Sequence, residues 1–393
     1  MADEEGLRKE ALRRHLQGEP AAIIAAELGR GERWVYKWVA RYEAGIEDWF
    51  ATGSRAPVGQ PTATPEQTVS LVLAARDRLE SDPRAQRGTA AIAWALATLG
   101  VEQDDQPGGR TIERILARAG RAKPRQRTRG RYVPKGTPYP FRAGRARAGV
   151  LHEIDPVGPR YLDGGQEVHS LNVIDVGSHR VALEPMAHPT PRALASHLVA
   201  AWARLGLPEV AQLDNHPSLR GDIGNPRAFG PVVRACLALG VRVRYVPLKE
   251  PWRNGAIEHF QDVFDKSFFR TERFTDLAHL ERRARAFEAF HNAQHRYSTL
   301  RGRTPEEAWA QAGLLVTYPS AQFQIPQTLP RRGRIEVVRL IRSDQILNLF
   351  GEAIPMPEQT VHQYVVATIL VRAQRLVVTH GGEIIHEALH CIR

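Results

Sequence analysis

Three acidic residues stand where carboxylates could act together. Asp155 closes the apolar run VLHEID, Asp214 closes VAQLD, and Glu258 follows the turn-prone segment Pro251-Trp252-Arg253-Asn254-Gly255 at the start of an apolar-periodic stretch. The chain has 43 Asp and Glu residues, so some Asp, Asp, Glu triple occurs at almost any loose spacing, and only local context gives this one weight. If the two runs pair as strands, both aspartates emerge side by side at one sheet edge, and the turn can bring the helix bearing Glu258 back to it. Carboxylates gathered in this way repel one another and raise each other's pKa, a cost that one or two Mg2+ ions reverse. Two hard cations roughly 3.5–4 Å apart activate an attacking oxygen and stabilise a leaving one in an in-line displacement at phosphorus. That chemistry needs no nucleophilic side chain.

Neighbouring residues have other readings. Glu153 precedes Asp155 by two and shares its strand face, where a solvated edge charge is the expectation. Asp175 ends VHSLNVID before a turn and reads as a hairpin residue, while His216 and Asp222 lie near enough to Asp214 to substitute for it. Lys249, Arg253 and Asn254 flank Glu258 in a loop suited to holding a DNA phosphate. His259, His291 and His295 lack the paired spacing or cysteines of a zinc site.

The elements that must position these groups are legible as periodicity. From about 148 the chain alternates in strand fashion through VLHEID, VHSLNVID and RVALEP. Helical stretches at about 191–205 and 228–239 then interleave with VAQLD and VRVRYV, and further helices begin near Gly255 and at about 276. Three strands followed by alternating helix and strand predict a mixed sheet covered by helices. Beyond about 330, RIEVVRLI, ILNLF, YVVATILV, RLVVTH and EIIHEAL predict a small C-terminal β-barrel.

The N-terminal part is helical. Pro20 opens an apolar stretch, Gly29-Arg30-Gly31 breaks it, and a second helix follows with Trp34, Val35, Trp38, Val39 and Tyr42 inward. The opposite face carries Glu32, Arg33, Tyr36, Lys37 and Arg41, a mostly basic set fitted to a DNA groove, so the segment predicts a helix-turn-helix. Helical patterns at about 65–80, 89–99 and 110–119 predict a second such module.

Net charge is +11, and residues 121–147 supply +10 of it, with ten Lys or Arg and no acid. Arg125, Arg127, Arg129, Arg131 and Lys135 in this Pro- and Gly-punctuated tract suit the backbone of a nucleic acid. Cys236 and Cys391 match no metal or disulfide spacing, and Cys236 sits among apolar neighbours as an inert thiol; a reducing compartment fits. The N-terminus shows no apolar signal region and the longest apolar runs are too short to span a bilayer, so neither secretion nor a membrane partner is expected.

The segments VLHEIDPVGP, VIDVGSHRVAL, QLDN, VPLKEPWRNGAIEHF and HRYSTLRGRTPEEAW together resemble the integrase catalytic core shared by retroviral integrases and bacterial insertion-sequence transposases. The resemblance covers most of the chain, and Pro-x-x-Asn-Gly-x-x-Glu is its most specific piece. It implies a multidomain protein with helix-turn-helix domains at 1–55 and 62–120 and a basic linker at 121–147. A ribonuclease-H-like α/β core at 148–315 and the barrel at 328–393 would follow. It also implies that Asp155, Asp214 and Glu258 bind two Mg2+ ions, with Mn2+ as a substitute. Such a protein would cut and join double-stranded DNA at the inverted repeats of a mobile element, as a homo-oligomer in the bacterial cytoplasm near the nucleoid.

Two departures stand out. His216-Pro217 replaces the Gly that usually follows Asp-Asn, and Glu258 lies 44 positions after Asp214, wider than the usual interval. A silent DNA-binding regulator descended from such an enzyme, and a repair nuclease that cuts without joining, are the rival expectations.

Overall fold

The computed structural model describes residues 4–52, 64–122, 137–141, 146–221 and 225–392. Residues 1–64 and 65–393 form separate compact units.

In the first unit α1 (Glu4–Leu16), α2 (Ala21–Glu27) and α3 (Glu32–Glu43) bury Ala11, Leu12, Ile24, Val35 and Val39 against one another. The inward residues of α3 recur at the three-to-four-residue spacing of a helix face, which is why this sequence folds as an amphipathic helix rather than a strand. Trp38 is buried beneath the Arg8 guanidinium, which lies 4.2 Å from its ring and donates to Phe50 O. Tyr42, expected inward, is exposed and instead meets Trp49 edge to face.

The second unit begins with α4 (Glu66–Ser81), α5 (Thr89–Thr98) and α6 (Gly109–Arg118), close to the three expected stretches and packed through Val72, Ile92, Leu96, Ile112 and Leu116. These helices join the unit that contains the sheet. His295 bonds Arg84 O at 2.8 Å, Arg296 N donates to Gln86, and the Arg296 guanidinium covers Trp94.

The sheet begins with the meander β1 (Leu151–Tyr161), β2 (Glu167–Asp175) and β3 (Val181–Met186), followed by α7 (Pro191–Leu205). Then come β4 (Val210–Leu213), the single turn α8 (Pro217–Arg220), α9 (Pro231–Ala238) and β5 (Arg242–Tyr245). Next are α10 (Gly255–Phe264), α11 (Leu277–Gln294) and α12 (Pro305–Ala312). Thr304 and Glu307 form a capping box that opens α12, a local consequence of the sequence TPEE. β1 is antiparallel to β2 and parallel to β4, which is parallel to β5. The order β3-β2-β1-β4-β5 is the mixed sheet expected of the core.

Because side chains alternate along a strand, the two faces acquire different covers. Ile154, Leu171, Val173 and Leu213 pack with Leu198 and Trp202 of α7 and with Val233 and Cys236 of α9. Ile174, Val181 and Leu183 pack on Ile257, Phe260 and Phe264 of α10 and on Phe287 of α11. Full burial of an aliphatic or Phe side chain contributes roughly 1.5–3 kcal/mol, so these two layers hold the sheet rigid beneath the acids. Cys236 is fully buried, and burial pushes its thiol up to about 12, as its apolar context predicts.

The C-terminal strands differ from the closed barrel anticipated at 328–393. After β6 (Arg334–Leu340) come the hairpin β7 (Ile346–Leu349) and β8 (Glu352–Pro355), then β9 (Tyr364–Leu370), β10 (Arg375–His380) and β11 (Glu383–Leu389). β6 pairs in parallel with β5, and β9, β10 and β11 continue outward, giving a nine-stranded sheet among the described residues. The reason lies in β6: Ile335 and Val337 join the core shared with Val243 and Tyr245, and Glu336 pairs with Arg244 at 2.7 Å. The far end is a largely solvated edge, where Glu383 and Glu387 discourage further strand pairing.

Candidate active site

The parallel register of β1 and β4 runs Glu153 to Gln212 and Ile154 to Leu213. Its next step sets Asp155 across from Asp214, so the two aspartates sit side by side where β4 ends. Asp155 lies inside β1 rather than closing it as expected, because β1 runs on to Tyr161 through its pairing with β2. Both point to the sheet face opposite Ile154, the face that α10 covers. On α10, Glu258 lies in the first turn and Gln261 one turn later on the same side. Gln261 donates its side-chain amide to Asp155 Oδ2. The charges of Asp214 and Glu258 both bear on Asp155, so the structure brings all three expected acids into one electrostatic neighbourhood.

Burial, then repulsion from Asp214 and Glu258, pushes the Asp155 carboxyl up to about 7 against the opposing help of Gln261. Burial also raises Asp214, although the His216 N–H, 2.8 Å from its Oδ1, and the nearby His216 ring pull the other way. Among the described residues no cationic side chain forms an ion pair with either aspartate. Among those residues, too, no three His, Cys, Asp or Glu side chains converge tightly enough to ligate one ion as they stand. The donor chemistry nonetheless fits a hard divalent cation: all-oxygen, anionic, partly desolvated and held on two rigid strands and a helix.

Glu153 is the residue that strand-edge reasoning misjudged. It is 1% exposed, and its Oε2 accepts the N–H groups of Ala256 and Ile257 at 2.9 Å each. Its two-residue offset from Asp155 marked the shared face, but nothing local announced that a helix would cover that face. Gln261 and Gln212 carry a comparable signal in the sequence: three-residue spacing from Glu258 and two-residue spacing from Asp214 put each on the face of an acid.

The loop before Glu258 is engaged inward. Arg253, expected to hold a phosphate, pairs with Glu250 at 2.9 Å, donates to Tyr364 Oη at 2.9 Å and stacks 3.8 Å from the Tyr139 ring. Asn254, given the same role, is 4% exposed and accepts from Gln212 at 3.0 Å. Lys249 alone of the three is exposed, at a left-handed φ of 63°. His216 caps α8, which Pro217 opens, so the departure from the family pattern builds a turn of helix beside Asp214. Asp222 lies outside the described residues. Asp175 closes its hairpin as expected, accepting from Ser178 N at 2.6 Å and Oγ at 2.8 Å. His291 and His295 are buried and bond Tyr297 Oη and Arg84 O respectively, while His259 is exposed.

In the first unit Arg33, Tyr36 and Lys37 are exposed along α3. Arg41 is half-buried, with its guanidinium 5.0 Å from the Trp38 ring and donating to Ala51 O. Arg125, Arg127, Arg129, Arg131 and Lys135 of the basic tract lie outside the described residues.

The family model of a homeodomain-like domain matches residues 3–50, the helix-turn-helix expected there. No curated protein matches the chain. Among solved structures, the chain is similar to the HTLV-2 integrase catalytic core domain in complex with magnesium, at 14% identity and a TM-score of 0.32, covering 42% of this chain and 97% of that one. The BIV integrase catalytic core domain shows 14% identity and a TM-score of 0.32, over 42% and 96% of the two chains. A chain of the simian T-cell lymphotropic virus intasome in complex with PP2A regulatory subunit B56 gamma shows 15% identity and a TM-score of 0.36, over 74% and 88%.

Proposed function

We propose that this chain is a DNA transposase or integrase that cleaves the ends of a mobile element and joins them to target DNA. One observation carries the reading: Asp155 within β1 and Asp214 just past the end of the adjacent parallel β4 lie abreast in the strand register, beneath a helix whose first turn presents Glu258. The homeodomain-like unit supplies a basic helix face, Arg33, Tyr36 and Lys37, for element ends, with the 121–147 tract and Lys249 as further phosphate contacts. Two ends must be held together for joining, so a homo-oligomer on duplex DNA belongs to the proposal. No helix among the described residues is long and apolar enough to cross a membrane.

Asp155, Asp214 and Glu258 would hold one or two Mg2+ ions, with Mn2+ as a substitute; bound metal supplies positive charge at the attacking and leaving oxygens of an in-line displacement. The protein's own part is alignment. Gln261 orients the Asp155 carboxylate, the His216 N–H orients Asp214, and the sheet fixes the spacing between them.

Incubating the purified chain with labelled element-end DNA and Mg2+ or Mn2+ tests this. Nicking and strand transfer that vanish in Asp155→Asn support the enzyme. Tight binding without cleavage would show a silent regulator, and cleavage without joining a nuclease.

A further inference from the structure

A polar layer lies directly behind the three acids. Glu153 stands two residues before Asp155 on β1, and Gln212 two residues before Asp214 on β4, so each shares a face with its aspartate. They are register partners, and the Gln212 amide reaches Glu153 Oε1 at 3.5 Å. Both tie to the start of α10. Glu153 Oε2 accepts Ala256 N and Ile257 N, and Gln212 Nε2 donates to Arg253 O and to Asn254 Oδ1 at 3.0 Å each.

The first N–H groups of a helix have no partner within the helix. A residue just ahead of the helix commonly supplies the cap, but Asn254 makes no such side-chain bond in α10. A carboxylate from a strand 103 positions earlier does so instead. Negative charge at that end is also favoured by the helix dipole. Burying a carboxylate in a core is costly, yet Glu153, Gln212 and Asn254 are all under 5% exposed. What the layer joins is specific: the segment next to Asp155, the segment next to Asp214, and the backbone N–H of the residue just before Glu258.

We propose that Glu153, with Gln212, is a positioning residue that holds the N-terminus of α10 in register with β1 and β4, and so sets where Glu258 stands relative to Asp155 and Asp214. This rests on the metal-dependent reading of the site above. Glu153 need not touch the cation or the DNA; its bonds to Ala256 and Ile257 fix the geometry of the groups that would.

The test uses the full chain with Glu153→Ala, Glu153→Gln, Glu153→Met and Gln212→Met. Mn2+ binding is followed by titration calorimetry, amide hydrogen exchange at Ala256 and Ile257 by mass spectrometry, and folding by near-UV circular dichroism. Loss of a partner that orients a metal ligand commonly costs about 10–100-fold in metal affinity. Glu153→Ala is expected to weaken Mn2+ binding by about tenfold or more and to speed exchange at Ala256 and Ile257. Glu153→Gln keeps the volume and an acceptor oxygen and recovers most of both losses, whereas Glu153→Met, which fills similar volume without an acceptor, does not; recovery in Glu153→Met would show lost packing instead. Should Glu153→Ala not fold, Gln212→Met, which leaves the carboxylate cap, carries the same expectation for Mn2+. A folded variant of either kind with wild-type Mn2+ affinity overturns the inference, as does unchanged exchange in Glu153→Ala. A wild-type chain that binds no Mn2+ defeats the proposed function separately, and exchange then decides the fate of the tie.

Discussion

Gln261, on the second turn of α10, donates its amide to the carboxylate of Asp155, 106 positions earlier on β1. The bond spans the gap between the helix that carries Glu258 and the strand that carries the first aspartate. It occupies the oxygen of an acid that burial and two neighbouring carboxylates have pushed up to about 7.

Metal and proton therefore compete at Asp155. Mn2+ affinity, measured by calorimetry between pH 6 and 8.5, is expected to fall as the pH drops through about 7. Gln261→Leu removes a donor that favours the charged form, so the fall begins at higher pH in that variant. An identical pH dependence in the two proteins contradicts the assignment.

The same shift has a sign for stability. A carboxyl raised from 3.8 to about 7 on folding stabilises the native state fully below its unfolded value and loses that contribution as pH rises through 7. Without metal, Asp155→Asn is expected to be more stable than wild type at pH 8 by about 1–4 kcal/mol, with the difference closing towards pH 4. Denaturant titrations at the two pH values measure it. Added Mn2+ should raise the melting temperature of wild type and leave Asp155→Asn unmoved.

On α3, Arg33 and Lys37 are exposed while Arg41 is engaged with Trp38 and Ala51. Arg33→Ala with Lys37→Ala should weaken end-DNA binding and flatten the dependence of log K on log salt by about 2. Arg41→Ala should instead lower the stability of the N-terminal unit by about 1 kcal/mol. Fluorescence anisotropy across a salt series and thermal melting separate the two behaviours.

Arg253 makes its contacts within the protein. Removing its guanidinium takes one of two side-chain partners from the buried Glu250 carboxylate and leaves the Tyr364 hydroxyl. Arg253→Ala is expected to cost about 1–2 kcal/mol after allowance for the solvent exposure of the arginine, while DNA affinity in a binding assay stays within about twofold, less than the tenfold that 1.4 kcal/mol would bring. A large loss of affinity with unchanged stability would restore the phosphate-holding role.

Local pattern made much of this legible. Turn residues and period-two alternation located the strands of Asp155 and Asp214, although β1 runs past Asp155 to Tyr161; Pro251 to Gly255 announced the helix of Glu258, and Thr304 to Glu307 spelled its own cap. The apolar stripe of α3 likewise emerged from spacing alone, apart from Tyr42. Each of these depends on neighbours within a few positions, where the geometry of strand, helix and turn is already set by the backbone.

What lay beyond reach were the partners supplied by distant chain. Glu153 looks like an edge charge until α10 covers it, Arg253 looks free until Tyr139 and Tyr364 arrive, and the C-terminal strands look self-sufficient until β6 finds the open edge of β5. The amino-acid order determined which carboxylates lie on the strands and which helix faces are apolar or basic. The tertiary structure decided which of those faces are covered and by what, because burial is a property of packed surfaces brought together from far along the chain, and no short window of residues contains it.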